Sequence, residues 1–198
     1  MRRASSWRHY QPGARAIAAP ASTVSRRVAV RVLGIDPGSR LTGFGVIDTD
    51  STGTRYVAAG AVRATAKEFT ERLKEVFVGV SSIIHEYEPQ EIAIERVFLA
   101  RNPDSAIKLG QARGAALSAT FASLASIHEY SAREVKQAVV GSGAAEKAQV
   151  QRMVRIMLGI KSAEPLGADA ADALAIALCH AHGRALRARL AEVSGMGA

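Results

Sequence analysis

VAVRVLGIDPGSRLTGFGVID, residues 28–48, decides the fold. The residues up to Asp36 make a β pattern, Pro37-Gly38-Ser39 form a turn, and a second β-like stretch follows at once. Two strands joined so closely form an antiparallel hairpin. RYVAAGAVRA (55–64) supplies a third strand, so the body of the chain opens with a meander. The first strand ends on a carboxylate in apolar surroundings. A buried carboxylate standing alone costs several kcal/mol, so an acid placed there holds a cation or shares a proton.

Downstream, Thr65 and Glu68 fit a capping box that opens a helix with Phe69, Leu73, Val76, Phe77, Val80, Ile83 and Ile84 on one face, ending before Pro89. EIAIERVF (91–98) reads as a strand and Asn102-Pro103-Asp104 as the start of a second, Ala- and Gly-rich helix. A short strand is expected near Ile127 to Tyr130, followed by a helix capped by Ser131 and Glu134. Gly141 to Gly143 interrupt, 146–158 resume a helix, and GADAADALAIALCHAHGRALRARL (167–190) makes the last one. This order is an α/β layout around a mixed sheet, in one domain over 28–190.

Composition narrows the class. The net charge is +8, but residues 1–31 hold seven arginines and no acid, which leaves +1 for the rest. The basic balance therefore belongs to the N-terminal segment and says little about the domain. Residues 1–27 lack periodicity and are broken by Pro12-Gly13 and Pro20. They read as a disordered basic extension: an upstream start, an organellar targeting peptide or a DNA-binding arm. Residues 191–198 are expected to form a flexible tail. One cysteine, Cys179, precludes an internal disulfide and fits a reducing, cytoplasmic setting; it reads as a small core residue. No apolar run approaches the ~20 residues of a membrane span.

Three more acids share the character of Asp36. Glu95 closes a strand, and Asp169 and Asp172 are spaced to lie on one helical face. Each has an ordinary reading by itself: a turn former before Pro37, a solvated strand end, an acid favoured by a helix dipole. Four at element ends point instead to a shared divalent-metal site. Oxygen ligands suit Mg²⁺ or Mn²⁺. Two such ions ~3.5–4 Å apart activate a water and stabilise the leaving oxygen of a phosphodiester. His180 and His182, two apart, do not share a helical face and suggest no metal site.

GIDPGSRLTGFGVI, AIERVFLARNPDSAIKLGQARG, EYSAREVKQAVVGSGAAEKAQVQRMV and ADAADALAIAL resemble, in order, the blocks of the RuvC family of Holliday junction resolvases over about residues 30–183. The resemblance implies an RNase H-like fold with a mixed five-stranded sheet and helices on both faces. It implies a homodimer that resolves four-way DNA junctions by paired nicks in recombination and repair, leaving 5′-phosphate and 3′-hydroxyl ends. It implies Mg²⁺, with Mn²⁺ able to substitute, at two ions per subunit, and a RuvA–RuvB branch-migration complex as partner. Asp36, Glu95, Asp169 and Asp172 take the positions of the family's catalytic acids. Lys136 and Lys147 match basic positions near the scissile phosphate, and Phe98 matches an aromatic that stacks on an unpaired base. Their ordinary readings are two solvated helix lysines and a core phenylalanine. Arg101, Lys108 and Arg113 extend a candidate phosphate track. Gly110, Gly114, Ala115 and Ser118 permit close helix approach, in the core or, as the resemblance suggests, between subunits. Arg96 stands where an amide is common after the glutamate.

A sugar-kinase or actin-like phosphotransferase also begins with strand, Asp, Gly-rich turn, strand. Such proteins enclose ATP between two related domains and add a later Gly-rich adenosine loop, neither of which these 198 residues provide.

Overall fold

The structure is a computed structural model that describes residues 29–96 and 102–195, without the side chains of Ala185 and 187–195. The expectations for residues 1–27, Phe98 and Arg101 lie outside the described residues. Five strands, β1 (Val30–Asp36), β2 (Leu41–Asp50), β3 (Gly53–Arg63), β4 (Glu91–Glu95) and β5 (Ser126–Tyr130), form one sheet in the order β3-β2-β1-β4-β5. β1 pairs antiparallel with β2 and β2 with β3, whereas β1 and β4 and then β4 and β5 are parallel. The expected meander and mixed sheet are both present.

Strand alternation sorts the side chains into two cores. Leu33, Ile35, Phe44, Val46, Ile92 and Ile94 face α1 (Phe69–Tyr87) and α2 (Pro103–Thr120). Val32, Ile47 and Ala93 face α3 (Ala132–Val140), α4 (Lys147–Leu158) and α5 (Ala168–Gly195). Asp36 and Glu95 share the parity of this second face and sit at the carboxyl ends of neighbouring parallel strands.

α1 buries Val76, Val80, Ile83 and Ile84, worth about 1.5–3 kcal/mol each. Two expectations about it change. Phe77 is 43% exposed, because it lies on the flank of the apolar stripe. The Thr65–Glu68 capping box does not form: the amides of Thr65 and Ala66 donate to Glu75 Oε2 at 2.7 and 3.1 Å, and Glu68 makes no side-chain cap. The Ser131–Glu134 box is present in full.

α5 is buried on nearly every side from Ala170 to Ala181, as a helix sandwiched between a sheet and other helices must be. It lies directly on sheet backbone. A Cβ added at Gly34 would stand 2.1 Å from the Ala173 carbonyl oxygen, and one at Gly43 2.1 Å from that of Asp169. The helix continues through 191–195, where a tail was expected, because Ala, Leu, Arg and Glu carry it with no Gly or Pro between Gly183 and Gly195.

Candidate active site

Asp36 is the last residue of β1 and Glu95 the last of β4. The turn after Asp36 is locked by the buried Thr42, whose hydroxyl donates to the Gly38 carbonyl at 3.0 Å and accepts from the Gly38 amide at 3.3 Å. Asp169 and Asp172 occupy the first turns of α5, and the Gly34 and Gly43 contacts bring that end of the helix down onto β1 and β2. Lys147 is the first residue of α4.

Asp36, Glu95, Lys136, Lys147 and Asp172 line one cavity of about 320 Å³ with Val135, Val150 and Ile176 among its apolar walls. Burial, and then the neighbouring Glu95 and Asp172, push the Asp36 carboxyl up to about 8. The two carboxyls are hydrogen-bonded to each other. Burial also raises Glu95, and Asp172 adds to that rise. Lys147 Nζ lies 2.5 Å from Asp172 Oδ2, and this bond, opposed by burial and helped by Asp36 and Asp169, raises the lysine.

Asp169 does not line the cavity, although it acts electrostatically on Lys147 from the same helix end. Among the described residues no three His, Cys, Asp or Glu side chains enclose an ion as they stand. The acids instead satisfy one another and the lysine. The donor set nevertheless fits a divalent cation. Three carboxyls share one pocket, burial raises Asp36 and Glu95, and a hard cation is the partner that lets such a set ionise together.

The other expected DNA contacts divide. Lys136 faces the cavity. Lys108 pairs with Asp104 at 2.6 Å on the exposed side of α2. Arg113 turns inward: Nε donates to the Glu95 carbonyl at 3.0 Å, and a terminal nitrogen lies 2.6 Å from Glu129 Oε2. Arg96 holds the same corner, its amide donating to the Tyr130 carbonyl at 2.7 Å and its guanidinium to the Glu129 carbonyl at 3.2 Å. Gly110, Gly114 and Ser118 are exposed, and no atom lies within 4 Å of a Cβ added at either glycine, so they do not serve packing within the chain.

Sequence reasoning missed a second polar cluster. His180, fully buried on α5, donates through Nε2 to Glu91 Oε2 at 2.5 Å, and Nδ1 meets the Tyr130 hydroxyl at 2.7 Å. Arg184 Nε donates to Glu91 Oε1 at 3.0 Å, and His128 stacks on His180 with centroids 4.4 Å apart. The available signal was parity: Glu91 and Glu95 sit on the same face of β4, the face α5 covers.

A family model described as crossover junction endodeoxyribonuclease RuvC matches residues 32–180. The RuvC proteins of Marinobacter nauticus and Stenotrophomonas maltophilia are 54% and 56% identical, over 83% and 81% of this chain and 93% and 92% of theirs. Thermus thermophilus RuvC, determined alone and in complex with a Holliday junction substrate, aligns with 79% of this chain and 96% of its own. Its identities are 35% and 36% and its TM-scores 0.72 and 0.73. A yeast mitochondrial Holliday junction resolvase, at 15% identity and a TM-score of 0.58, shares the fold over 79% of each chain.

Proposed function

The chain belongs to the RuvC family of crossover junction endodeoxyribonucleases, and from that premise we propose that Asp36, Glu95, Asp169 and Asp172 form its catalytic centre. It is an endonuclease of DNA recombination and repair with an RNase H-like fold. The substrate is a four-way junction, cut by paired nicks on opposite strands that leave 5′-phosphate and 3′-hydroxyl ends. The observation that carries the catalytic assignment is the one pocket that brings Asp36, Glu95 and Asp172 together, with Lys147 paired to Asp172.

The acids would hold Mg²⁺, with Mn²⁺ able to substitute, at two ions per subunit. When bound, such cations activate a water and stabilise the leaving oxygen of the phosphodiester. The chain's own part is positional and electrostatic. Asp36, Glu95 and Asp172 would hold the cation from the ends of β1 and β4 and from α5, and Lys147, at the N-terminus of α4 where the helix dipole favours an anion, would face the scissile phosphate. Lys136 adds charge to the same wall. Phe98, just beyond β4, is assigned to an unpaired base at the junction, where stacking is worth ~1–3 kcal/mol.

Two nicks on opposite strands need two sites related by a two-fold axis, so we assign the protein a homodimer. The α2 stripe Ile107, Gly110, Gly114, Ser118 and Phe121 supports that face: the glycines are open, and Ile107 and Phe121 are 62% and 67% exposed. A RuvA–RuvB branch-migration complex is the proposed partner and the cytoplasm the proposed setting. Among the described residues no helix is long and apolar enough to cross a membrane.

The test is a synthetic four-way junction incubated with protein and Mg²⁺ beside a linear duplex of the same sequence. Symmetric nicks in the junction alone support the reading, and Asp36→Asn should bind the junction without nicking it. Cleavage retained by that variant overturns the site assignment.

A further inference from the structure

We propose that Arg113, on α2, is a positioning residue for Glu95: its guanidinium grips the main chain where β4 ends and so fixes the direction of the Glu95 carboxyl. The inference rests on the nuclease reading above and moves Arg113 out of the phosphate track.

The argument begins with an open backbone position. The ladder between β1 and β4 stops at Ile35↔Ile94. Two residues beyond Ile35 comes Pro37, which has no amide with which to extend it. The Glu95 carbonyl therefore takes its donor from a side chain, and Arg113 Nε supplies it at 3.0 Å. On the other side, the amide of Arg96 is taken by the Tyr130 carbonyl at 2.7 Å. The peptide joining residues 95 and 96 is thus held at both its oxygen and its nitrogen, by α2 and by β5.

The guanidinium is itself held. Its pair with Glu129 measures 2.6 Å, and Glu129 stands on β5 directly opposite Ile94. Only 19% of the Arg113 side chain is exposed, against 46% for Lys108 and 60% for Lys147. A half-buried cation already paired with a carboxylate contributes little to a phosphate track, whereas the planar fork can serve two acceptors at once. Groups that orient the ligands of a cation site typically cost about 10–100-fold in activity when removed, without touching substrate.

The test uses the full-length protein with Arg113→Gln, Arg113→Lys and Glu129→Gln. Junction affinity is measured without divalent metal over a salt series, and single-turnover cleavage over a series of Mg²⁺ concentrations. Arg113→Gln should cleave about 10–100-fold more slowly and need more Mg²⁺ for half its maximal rate. Its affinity should stay within about twofold, with an unchanged salt slope. Arg113→Lys, which keeps the charge but lacks the planar fork that spans both acceptors, should fall between, and Glu129→Gln should slow cleavage by a smaller factor. If Arg113 is a phosphate contact, Arg113→Gln loses affinity and cleavage together, its salt slope falls by about one, and Glu129→Gln binds more tightly. That pattern, or wild-type cleavage by both glutamine variants, overturns the proposal. Should Arg113→Gln melt below the assay temperature, Glu129→Gln decides: slowed cleavage at unchanged affinity supports the grip, wild-type cleavage refutes it. A wild-type protein that leaves junctions intact would instead sink the nuclease reading.

Discussion

Strand β4 begins on Glu91 and ends on Glu95, both facing α5, and the two ends meet opposite electrostatic treatment. At the first, burial alone would raise the Glu91 carboxyl, but hydrogen bonds from His180 and Arg184 outweigh it and hold the group below its ordinary range. At the second, burial and Asp172 raise Glu95, and Asp36 is raised further still. One glutamate has every partner it needs from its own chain. The other shares a pocket with acids that the chain leaves in conflict. A fold tolerates such conflict where an outside charge is expected, and stability is commonly given up at such sites.

Several substitutions break or sharpen this contrast. The largest effect is expected for Glu95→Gln, which should drop junction cleavage to background while stabilising the metal-free protein by on the order of 1–2 kcal/mol, read as a higher melting temperature. Mg²⁺ should raise the melting temperature of wild type but not of this variant. Destabilisation by Glu95→Gln would place Glu95 with Glu91 and erase the contrast. Lys147→Ala comes next, with cleavage slowed about 100-fold and junction affinity changed by less than about threefold, measured by single-turnover kinetics and by titration. Equal losses in both would make Lys147 a binding residue only.

At the other end, Glu91→Gln should cost about 2–3 kcal/mol in urea denaturation, since His180 and Arg184 lose a common charged acceptor. Cleavage per folded molecule should hardly change. The smallest effect concerns acid. A carboxyl held below its ordinary value of 4.5 adds stability that is complete above that pH and disappears as pH falls through the lower folded value. Glu91→Gln should therefore lose less stability than wild type as pH drops below that point. Parallel acid limbs for the two proteins would remove Glu91 from the comparison.

Much of this was legible from local pattern. The hairpin around Asp36, the Ser131–Glu134 cap and the helix bearing Asp169 and Asp172 follow from alternation, cap chemistry and spacing, which neighbours in sequence decide. Thr65–Glu68 shows where such reading stops: the same cap signature was outcompeted by Glu75, seven residues into the following helical segment and reachable only once that helix had formed. Glu91, His180 and Tyr130 were opaque for a stronger reason, since each looks ordinary until the sheet and α5 bring them together from distant parts of the chain. Arg113 is expected on a phosphate track from its charge and place, and nothing in its helix marks the inward turn. Asp169 belongs to the acidic motif yet stands outside the cavity wall, a distinction spacing does not convey.

The bare contact of α5 on Gly34 and Gly43 has a mechanical consequence. With no side chain on either glycine to act as a cushion, the helix seats on the sheet like a part with no shim, and main chain against main chain sets the altitude of Asp172 above Asp36 at these two points. A single methyl at Gly43 would lift that end of the helix, and an offset of about 1 Å at a reacting centre can cost on the order of 100-fold in rate. The spacing of the acids is therefore inherited from the sheet, and residues that carry no charge hold the tolerance of the machine.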